Sequence, residues 1–157
     1  MGQERQMRKR GITKKDLERY RNIPAEIKAI EARIQMNRAK LAELCWKNET
    51  VVDTVKGGEG GIQHFTIEGF PAGEYDVYSE NIRVLNEKLR MRKHQEIELQ
   101  AEIEEFIAGI DDPVIRAIVD FHYVQGHTWQ ETAMMTGGNS ESSVKMAFQR
   151  FIERHQS

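Results

Sequence analysis

Ser142, Lys145 and Gln149 stand three and four residues apart near the C-terminal end of the chain. This spacing places them on one side of a helix, and we expect Glu141 and Met146 to point away from the core with them. Lysine can hydrogen-bond to guanine, glutamine to adenine, and serine to a base or a phosphate. These five residues are therefore candidate contacts to the base edges of double-stranded DNA.

Basic residues that suit contacts to the DNA backbone lie at both ends of the chain. They are Arg8, Lys9, Arg10, Arg150 and Arg154. Backbone contacts fix the position of a protein on DNA and carry no sequence information. Residues 1–15 hold six lysines and arginines against one acidic residue, so a flexible basic arm over 1–12 could lie along phosphates. A solvated tail is the alternative.

Helix start signals in the C-terminal third predict three short helices that would position these side chains. Asp112 and Pro113 suit the first start, because an acidic residue favours the positive end of the helix dipole and proline fits the first turn. Thr128 with Glu131 three residues later forms a capping box at the second helix. Ser140 is expected to cap the third helix, which carries the candidate DNA contacts.

Glycines mark the turns between these helices. Gly126 ends the first helix as a C-cap residue would, and Gly137–Asn139 form the turn before the last helix. Two helices joined by so tight a turn can present the second one to the major groove of DNA. The predicted inner faces hold Ile115, Ile118, Val119, His122 or Tyr123, Trp129, Ala133, Met134, Val144, Ala147, Phe148 and Phe151.

The charge of this C-terminal region is close to balanced. From Asp112 to Ser157 there are four lysines and arginines and five aspartates and glutamates, so the region is not a strongly basic module. Useful DNA affinity would need dimerisation, the basic arm, or recruitment by another protein. A small helical bundle that binds only protein is the alternative for this region.

Two longer stretches carry apolar residues at alternating spacings of three and four, the heptad pattern of paired helices. The first, about Thr13 to Trp46, has its seam at Tyr20, Ile23, Ile27, Ile30, Ile34, Asn37, Leu41 and Leu44. The second, about Asp76 to Ile110, has its seam at Ile82, Leu85, Leu89, Arg92, Glu96, Leu99, Ile103, Phe106 and Ile110. The partner of each helix could be the other one or a second chain.

Three details of the long helices are also predicted. Thr13 with Asp16 resembles a capping box at the start of the first helix. Pro24 either begins a new helix or kinks a continuous one. If the two helices fold back on each other, Asn37 lies near Arg92, and polar seam residues of this kind can fix the register of the pair.

The stretch between the long helices, about residues 48–75, contains six glycines and predicts a loop with a small β-hairpin around His64–Glu68. Gly57–Gly61 lack both a preceding strand and a following Gly-Lys-Ser/Thr, so they do not indicate a phosphate-binding loop. The sequence therefore predicts an all-α fold. The arm 1–12 precedes a long antiparallel coiled-coil-like hairpin over 13–110 with the inserted loop, and a three-helix helix-turn-helix domain follows over 111–157.

Few residues suit catalysis. The five histidines show no metal-ligand spacing, the carboxylates follow helix-surface spacing, and no nucleophile motif occurs. We therefore expect a protein that is not an enzyme and that has no catalytic residues, no metal site and no cofactor. Cys45 is the only cysteine, and no apolar run is long enough for a bilayer. These features predict a cytoplasmic protein with no membrane partner.

Asp111–Arg116, Tyr123–Ala133 and Asn139–Val144 resemble the C-terminal part of phage and prophage regulators of the ArpU and RinA type from Gram-positive bacteria, and of a related group of phage proteins. The run Gly-His-Thr-Trp-Gln-Glu-Thr-Ala is similar to the Gly-x-Ser/Thr-x-x-Glu-Ile-Ala pattern in region 4 of bacterial sigma factors. Asp53–Gly57 and Thr66–Phe70 resemble segments between the long helices of the related group.

The resemblance implies a sigma region 4-like helix-turn-helix in a regulator of late phage genes. Its recognition helix would carry Glu141, Ser142, Lys145, Met146 and Gln149. Thr132 stands where sigma-like domains carry an aliphatic residue, and the turn Gly137–Asn139 is one residue longer than the shortest sigma form.

The leading hypothesis is a phage-derived, sequence-specific DNA-binding transcriptional regulator that acts as an oligomer. Its expected partners are double-stranded DNA and a second copy of the chain, with a dimer favoured. One alternative is a DNA-packaging component such as a small terminase subunit, which would form a ring. Another is an adaptor that binds RNA polymerase, since sigma region 4 can also contact protein.

Overall fold

A computed structural model describes residues 11–55, 71–137 and 139–156, with side chains in these ranges except over 48–55. Every secondary-structure element of the described residues is a helix. The helices are α1 Lys14–Val55, α2 Ala72–Ala108, α3 Pro113–Val119, α4 Trp129–Met135 and α5 Glu141–Gln156. The predicted all-α class is confirmed for this part of the chain. None of the described helices is both long and apolar enough to cross a membrane.

Capping contacts set the starts of α1 and α3. The Thr13 backbone N–H donates to Asp16 Oδ2 at 3.0 Å, and the Asp16 N–H donates to Thr13 Oγ1 at 3.3 Å. This exchange is a capping box with aspartate in the place of glutamate, as predicted. Asp112 Oδ1 accepts the Val114 N–H at 2.9 Å, and Pro113 occupies the first turn of α3.

The helix α1 is continuous through Pro24, which settles the alternative that the sequence leaves open. A proline inside a helix removes one backbone hydrogen bond and costs about 3 kcal/mol. Here Tyr20 and Ile23, in the helical turn before Pro24, are buried, while Pro24 itself is exposed. Burial of two large apolar side chains contributes roughly 1.5–3 kcal/mol each, so packing outweighs the cost of the proline.

The long helices extend into both ends of the predicted loop 48–75, since α1 ends at Val55 and α2 begins at Ala72. The predicted bounds of the loop are therefore wrong at both ends. The expected β-hairpin around His64–Glu68 and the glycines of Gly57–Gly61 lie outside the described residues.

Contacts divide the chain into two compact units, one of Met1–Glu26 with Arg92–Ser157 and one of Ile27–Met91. This division differs from the predicted domain boundaries, because the start of α1 and the end of α2 belong with the C-terminal helices. Ile12, which the sequence places in the flexible arm, is only 7% exposed and packs in the core of the first unit.

All predicted seam positions of α1 and α2 are buried or half-buried, so the heptad pattern predicts the inner faces correctly. The two polar seam residues Asn37 and Arg92 each have a hydrogen-bond partner within their own unit. In the first unit, Arg92 Nε donates to Glu26 Oε2 at 2.8 Å. In the second, Asn81 Nδ2 donates to Asn37 Oδ1 at 3.3 Å. A heptad seam looks the same after a shift of one repeat, so the pattern could not distinguish these registers.

The core of the first unit is one apolar cluster to which the start of α1, the end of α2 and the C-terminal helices all contribute. Leu17 comes from α1, Ile103 from α2, Ile118 from α3, Ala133 from α4 and Phe148 from α5, and each is at most 3% exposed. The C-terminal helices are therefore not packed only on one another, as a separate three-helix domain would be.

The helix α3 continues into a π-helical turn over Asp120–Val124. The Gln125 N–H donates to Asp120 O at 2.9 Å, a bond across five residues that is characteristic of this geometry. The sequence predicts that either His122 or Tyr123 is buried, and the structure buries both. The chain then reverses at Gly126, whose φ of +80° favours glycine.

Candidate nucleic-acid interface

One face of α5 fixes the helix in the core of the first unit. Val144, Phe148 and Ile152 are each at most 2% exposed, and Ala147 and Phe151 pack against the same cluster. Four of these five residues are predicted from the sequence. Ile152 is missed, although it follows Phe148 by one helical turn and extends the same stripe.

The other face of α5 carries the five residues expected to contact bases. Glu141, Ser142, Lys145 and Met146 are exposed, and Gln149 is half-buried. Lys145 Nζ forms an ion pair with Glu141 Oε1 at 3.0 Å. This contact joins neighbouring turns of one exposed helix face, so it contributes only about 0.3–0.5 kcal/mol. Lys145 can therefore exchange Glu141 for another acceptor at little cost.

Of the five residues expected to contact phosphates, the structure describes Arg150 and Arg154. Both are exposed on α5, and Arg154 Nε donates to the Arg150 carbonyl oxygen at 3.4 Å. The other three, Arg8, Lys9 and Arg10, lie outside the described residues.

The start of α4 confirms the predicted capping box. The Glu131 N–H donates to Thr128 Oγ1 at 3.1 Å. The Glu131 carboxylate also contacts His127 Nδ1 at 2.8 Å, and this hydrogen bond is the main reason that its pKa is lowered. Two contacts to Glu131 therefore hold the first turn of α4, one from the Thr128 hydroxyl and one from the His127 ring.

The buried face of α4 differs from the prediction at Met134, which is 73% exposed. Ala133 is buried as expected, and Thr132 is fully buried beside it. Thr132 Oγ1 donates to Thr128 O at 2.8 Å, so its hydroxyl is satisfied within the helix. This bond matters for stability, since a buried hydroxyl without a partner would cost roughly 1–3 kcal/mol.

A short turn connects α4 to α5. Gly137 has a φ of +111°, which strongly favours glycine. The Ser143 N–H then donates to Ser140 Oγ at 3.1 Å, so Ser140 caps α5 as predicted. Residue 138, in the middle of the predicted turn, lies outside the described residues.

His122 lies at the junction between α3 and α4. It is only 5% exposed, and its ring stacks on Trp129 with 3.7 Å between the ring centroids. Nδ1 lies 2.8 Å from the His127 carbonyl oxygen, so Nδ1 carries the proton when the ring is neutral. Burial, with a further contribution from the positive charge of Arg21, lowers the pKa of His122 to about 4.

Arg21 of α1 also contacts the junction between α3 and α4. Its Nε donates to His122 O at 3.1 Å, and its Nη2 donates to His127 O at 3.4 Å. Sequence reasoning missed this role. Arg21 is outside the predicted seam of α1, and its partners lie more than 100 residues further along the chain. No local pattern could therefore have identified them.

A groove of about 780 Å³ runs between the start of α1 and the candidate DNA-reading helix α5. From α1 it is lined by Lys14, Glu18, Arg21 and Asn22. From α5 it is lined by Glu141, Lys145, Met146, Phe148 and Gln149. Lys14 Nζ donates to Gln149 Oε1 at 3.1 Å, which links α1 to one of the predicted base-contacting residues.

The junction and the start of α4 complete the lining. They contribute His122, Tyr123, Thr128, Trp129 and Gln130. Aromatic rings thus accompany side chains that are mostly polar, including three cations. The sequence did not predict this groove, because its α1 wall comes from a helix assigned to another domain.

The described part of the chain contains no group of three histidine, cysteine or carboxylate side chains that could hold a metal ion. Within it, every buried side-chain nitrogen or oxygen also has a hydrogen-bond partner.

Comparison of the chain with protein-family models, curated proteins and solved structures finds no match. The resemblance to phage regulators therefore stays a prediction, and the functional argument depends on the geometry of α5 and its surroundings.

Proposed function

We propose that the chain is a phage-derived, sequence-specific DNA-binding transcriptional regulator in which α4 and α5 form a helix-turn-helix. The two-sided character of α5 carries the proposal. Its apolar face is fixed in the core, while Ser142 and Lys145 are exposed in its first turns. A helix with its side chains is about 10–12 Å across, and the major groove is about 12 Å wide. The first turns of a recognition helix are where base edges are contacted.

Each polar residue of α5 has a role that its chemistry supports. Lys145 would donate to guanine, Gln149 would pair with adenine, and Glu141 would accept from cytosine. Ser142 would contact a base or a phosphate, and Arg150 and Arg154 would contact phosphates outside the base edges. Met146 would make apolar contact within the groove.

The long helices supply the assembly function in this proposal. Over 13–110 they would form an antiparallel coiled-coil-like hairpin that brings several copies of α5 to DNA together. The near balance of charges in residues 112–157 supports a need for more than one copy. The regulation of late phage genes is what the resemblance implies for the target.

The substitution Lys145→Ala tests the recognition helix. Binding is measured by fluorescence anisotropy on duplexes from the genomic region around the gene. Loss of a base contact costs about 1–3 kcal/mol, so we expect specific binding to weaken by roughly 5- to 150-fold. Lys28→Ala removes an exposed lysine of α1 outside the proposed interface and should leave the affinity close to that of the wild type.

Unchanged affinity in Lys145→Ala, with an unchanged circular dichroism spectrum, would contradict the role of α5. The salt dependence of the wild type tests the broader proposal, since each phosphate contact contributes a log–log slope of about −0.9. A chain that retains no duplex at any salt concentration is not a DNA-binding regulator, and an RNA polymerase adaptor would then explain it better.

A further inference from the structure

The groove beside α5 lies where a DNA strand would have to pass. Since a helix nearly fills the major groove, the two sugar–phosphate strands that border the groove must run along the two flanks of that helix. One flank of α5 carries Glu141, Lys145 and Gln149, and these residues line the groove that faces α1. A strand on this side of α5 therefore enters the space between α5 and α1.

We infer that this groove seats one sugar–phosphate strand of the bound DNA, and that Lys14 and Arg21 of α1 contact its phosphates. The inference rests on the proposed function, because it assumes that α5 lies in the major groove. It adds to α5 a DNA contact from the first two turns of α1, a helix whose apolar pattern predicts a coiled coil.

The chemistry of the α1 wall fits a phosphate strand. Lys14 and Arg21 provide two positive charges, and the Asn22 amide provides neutral donors. On the opposite wall Lys145 is paired with Glu141 and is assigned to guanine, so the two cations of α1 carry the phosphate contact. Half or more of protein–DNA hydrogen bonds go to phosphate and sugar oxygens, and lysine, arginine and amide side chains supply many of them.

Lys14 and Arg21 are held differently, and this gives them different roles. Arg21 donates through Nε and Nη2 to two backbone carbonyls, which leaves Nη1 outside these contacts. These two hydrogen bonds hold its guanidinium in place in the lining of the groove. Lys14 donates to Gln149 Oε1 at 3.1 Å, so a phosphate that attracts Lys14 also frees Gln149 Oε1, while Gln149 Nε2 still donates to Glu153 Oε1 at 3.0 Å.

Glu18 is the one feature of the α1 wall that opposes a phosphate. It is exposed on the same wall, one helical turn from both Lys14 and Arg21. A carboxylate beside a phosphate strand repels it, so its removal should strengthen binding. A residue that only stabilises the fold would not produce this gain.

The test compares four chains on a mixed-sequence duplex of about two helical turns, because phosphate contacts do not depend on sequence. They are the wild type, Lys14→Ala, Lys15→Ala and Glu18→Gln, and Kd is measured by anisotropy between about 50 and 200 mM salt. Lys15 is the matched control, since it is the adjacent lysine and is exposed but does not line the groove.

We expect Lys14→Ala to reduce the magnitude of the log–log salt slope by about 0.9, the value for one phosphate. Lys15→Ala should keep the wild-type slope, and Glu18→Gln should bind severalfold more tightly at the lowest salt. A wild type that binds the duplex while Lys14→Ala keeps the full slope overturns the groove assignment and leaves the proposed function intact. A wild type that binds neither this duplex nor the genomic duplexes removes both.

Discussion

At the scale of single residues, His122 connects three parts of the first unit through its ring and its backbone carbonyl. It stacks on Trp129 at the start of α4, contacts the His127 carbonyl through Nδ1, and its own carbonyl accepts from Arg21 of α1. Burial and the positive charge of Arg21 favour the neutral imidazole, and they outweigh the hydrogen bond to the His127 carbonyl, which favours the charged form. The residue is therefore a structural link that positions α4 and, through α4, the turn before α5.

The low pKa of His122 predicts that acid destabilises the protein. With a folded-state pKa of about 4 and an unfolded value near 6.5, the unfolded chain binds more protons between these two pH values. The free energy of unfolding must then fall as the pH falls through this window. At pH 5 this residue alone should make it roughly 2 kcal/mol lower than at pH 7. Urea denaturation at the two pH values measures the change.

His122→Gln isolates the contribution, because glutamine keeps a donor for the His127 carbonyl and does not titrate in this range. The variant should lose most of the difference between pH 7 and pH 5. His94→Gln is the control, since His94 is exposed and pairs with Glu98 on the surface of α2. If His122→Gln shows the same pH dependence as the wild type, another group causes the acid sensitivity.

At the scale of helices, local signals set where each short helix starts, and buried side chains set what it packs on. Thr128 is the clearest case. Its hydroxyl accepts the Glu131 N–H, and its carbonyl accepts both the Thr132 N–H and the Thr132 hydroxyl. Only the first of these contacts depends on the Thr128 side chain, so a substitution here reports on capping alone.

Thr128→Ala should therefore lower the free energy of unfolding by about 1 kcal/mol, with a range of roughly 0.5–2 kcal/mol. Thr128→Ser keeps the hydroxyl and should stay close to the wild type. Chemical denaturation of the two variants side by side gives the difference. Equal stabilities of the serine and alanine variants would show that the His127–Glu131 contact holds the start of α4 without the cap.

Sequence patterns predicted those features that depend on near neighbours. The caps at Thr13, Asp112, Thr128 and Ser140 each involve a partner two or three residues away, and the seams of α1 and α2 follow a repeat along one helix. Features that need distant partners were not predictable. The register of Asn37 depends on which repeat of α2 it meets, and the groove depends on α1 residues more than 100 positions before their partners.

At the scale of the whole molecule, the net charge of −2 makes a single chain a weak ligand for a polyanion. Several copies that bind together raise the apparent affinity without any new contact, provided that their geometry allows simultaneous binding. Self-association is therefore part of the proposed mechanism, and the second unit has a surface that suits it.

That surface is a stripe on α2 formed by Val77, Val84 and Met91, which lie seven residues apart and are 57%, 37% and 48% exposed. Ion pairs between Glu80 and Arg83 and between Glu87 and Arg90, each at 2.6 Å, recur beside it with the same period. Apolar residues at one heptad position with charged neighbours are typical of a helix that pairs with another helix. We expect this stripe to contact a second copy of the chain.

Val84→Glu places a charge at the centre of the stripe and should shift the protein to a monomer in light scattering. The affinity for DNA should fall with it, since a monomer brings only one α5 to the duplex. Asn86→Glu is the matched control. It is exposed and two residues away, which is about 200° around the helix, so it adds the same charge on another side.

A wild type that is already monomeric at all concentrations contradicts the assembly role. A dimer supports the regulator, because paired half-sites on DNA match a two-fold axis. A closed ring of many copies would instead favour a DNA-packaging subunit, in which α5 would serve the same contact to DNA within a different assembly.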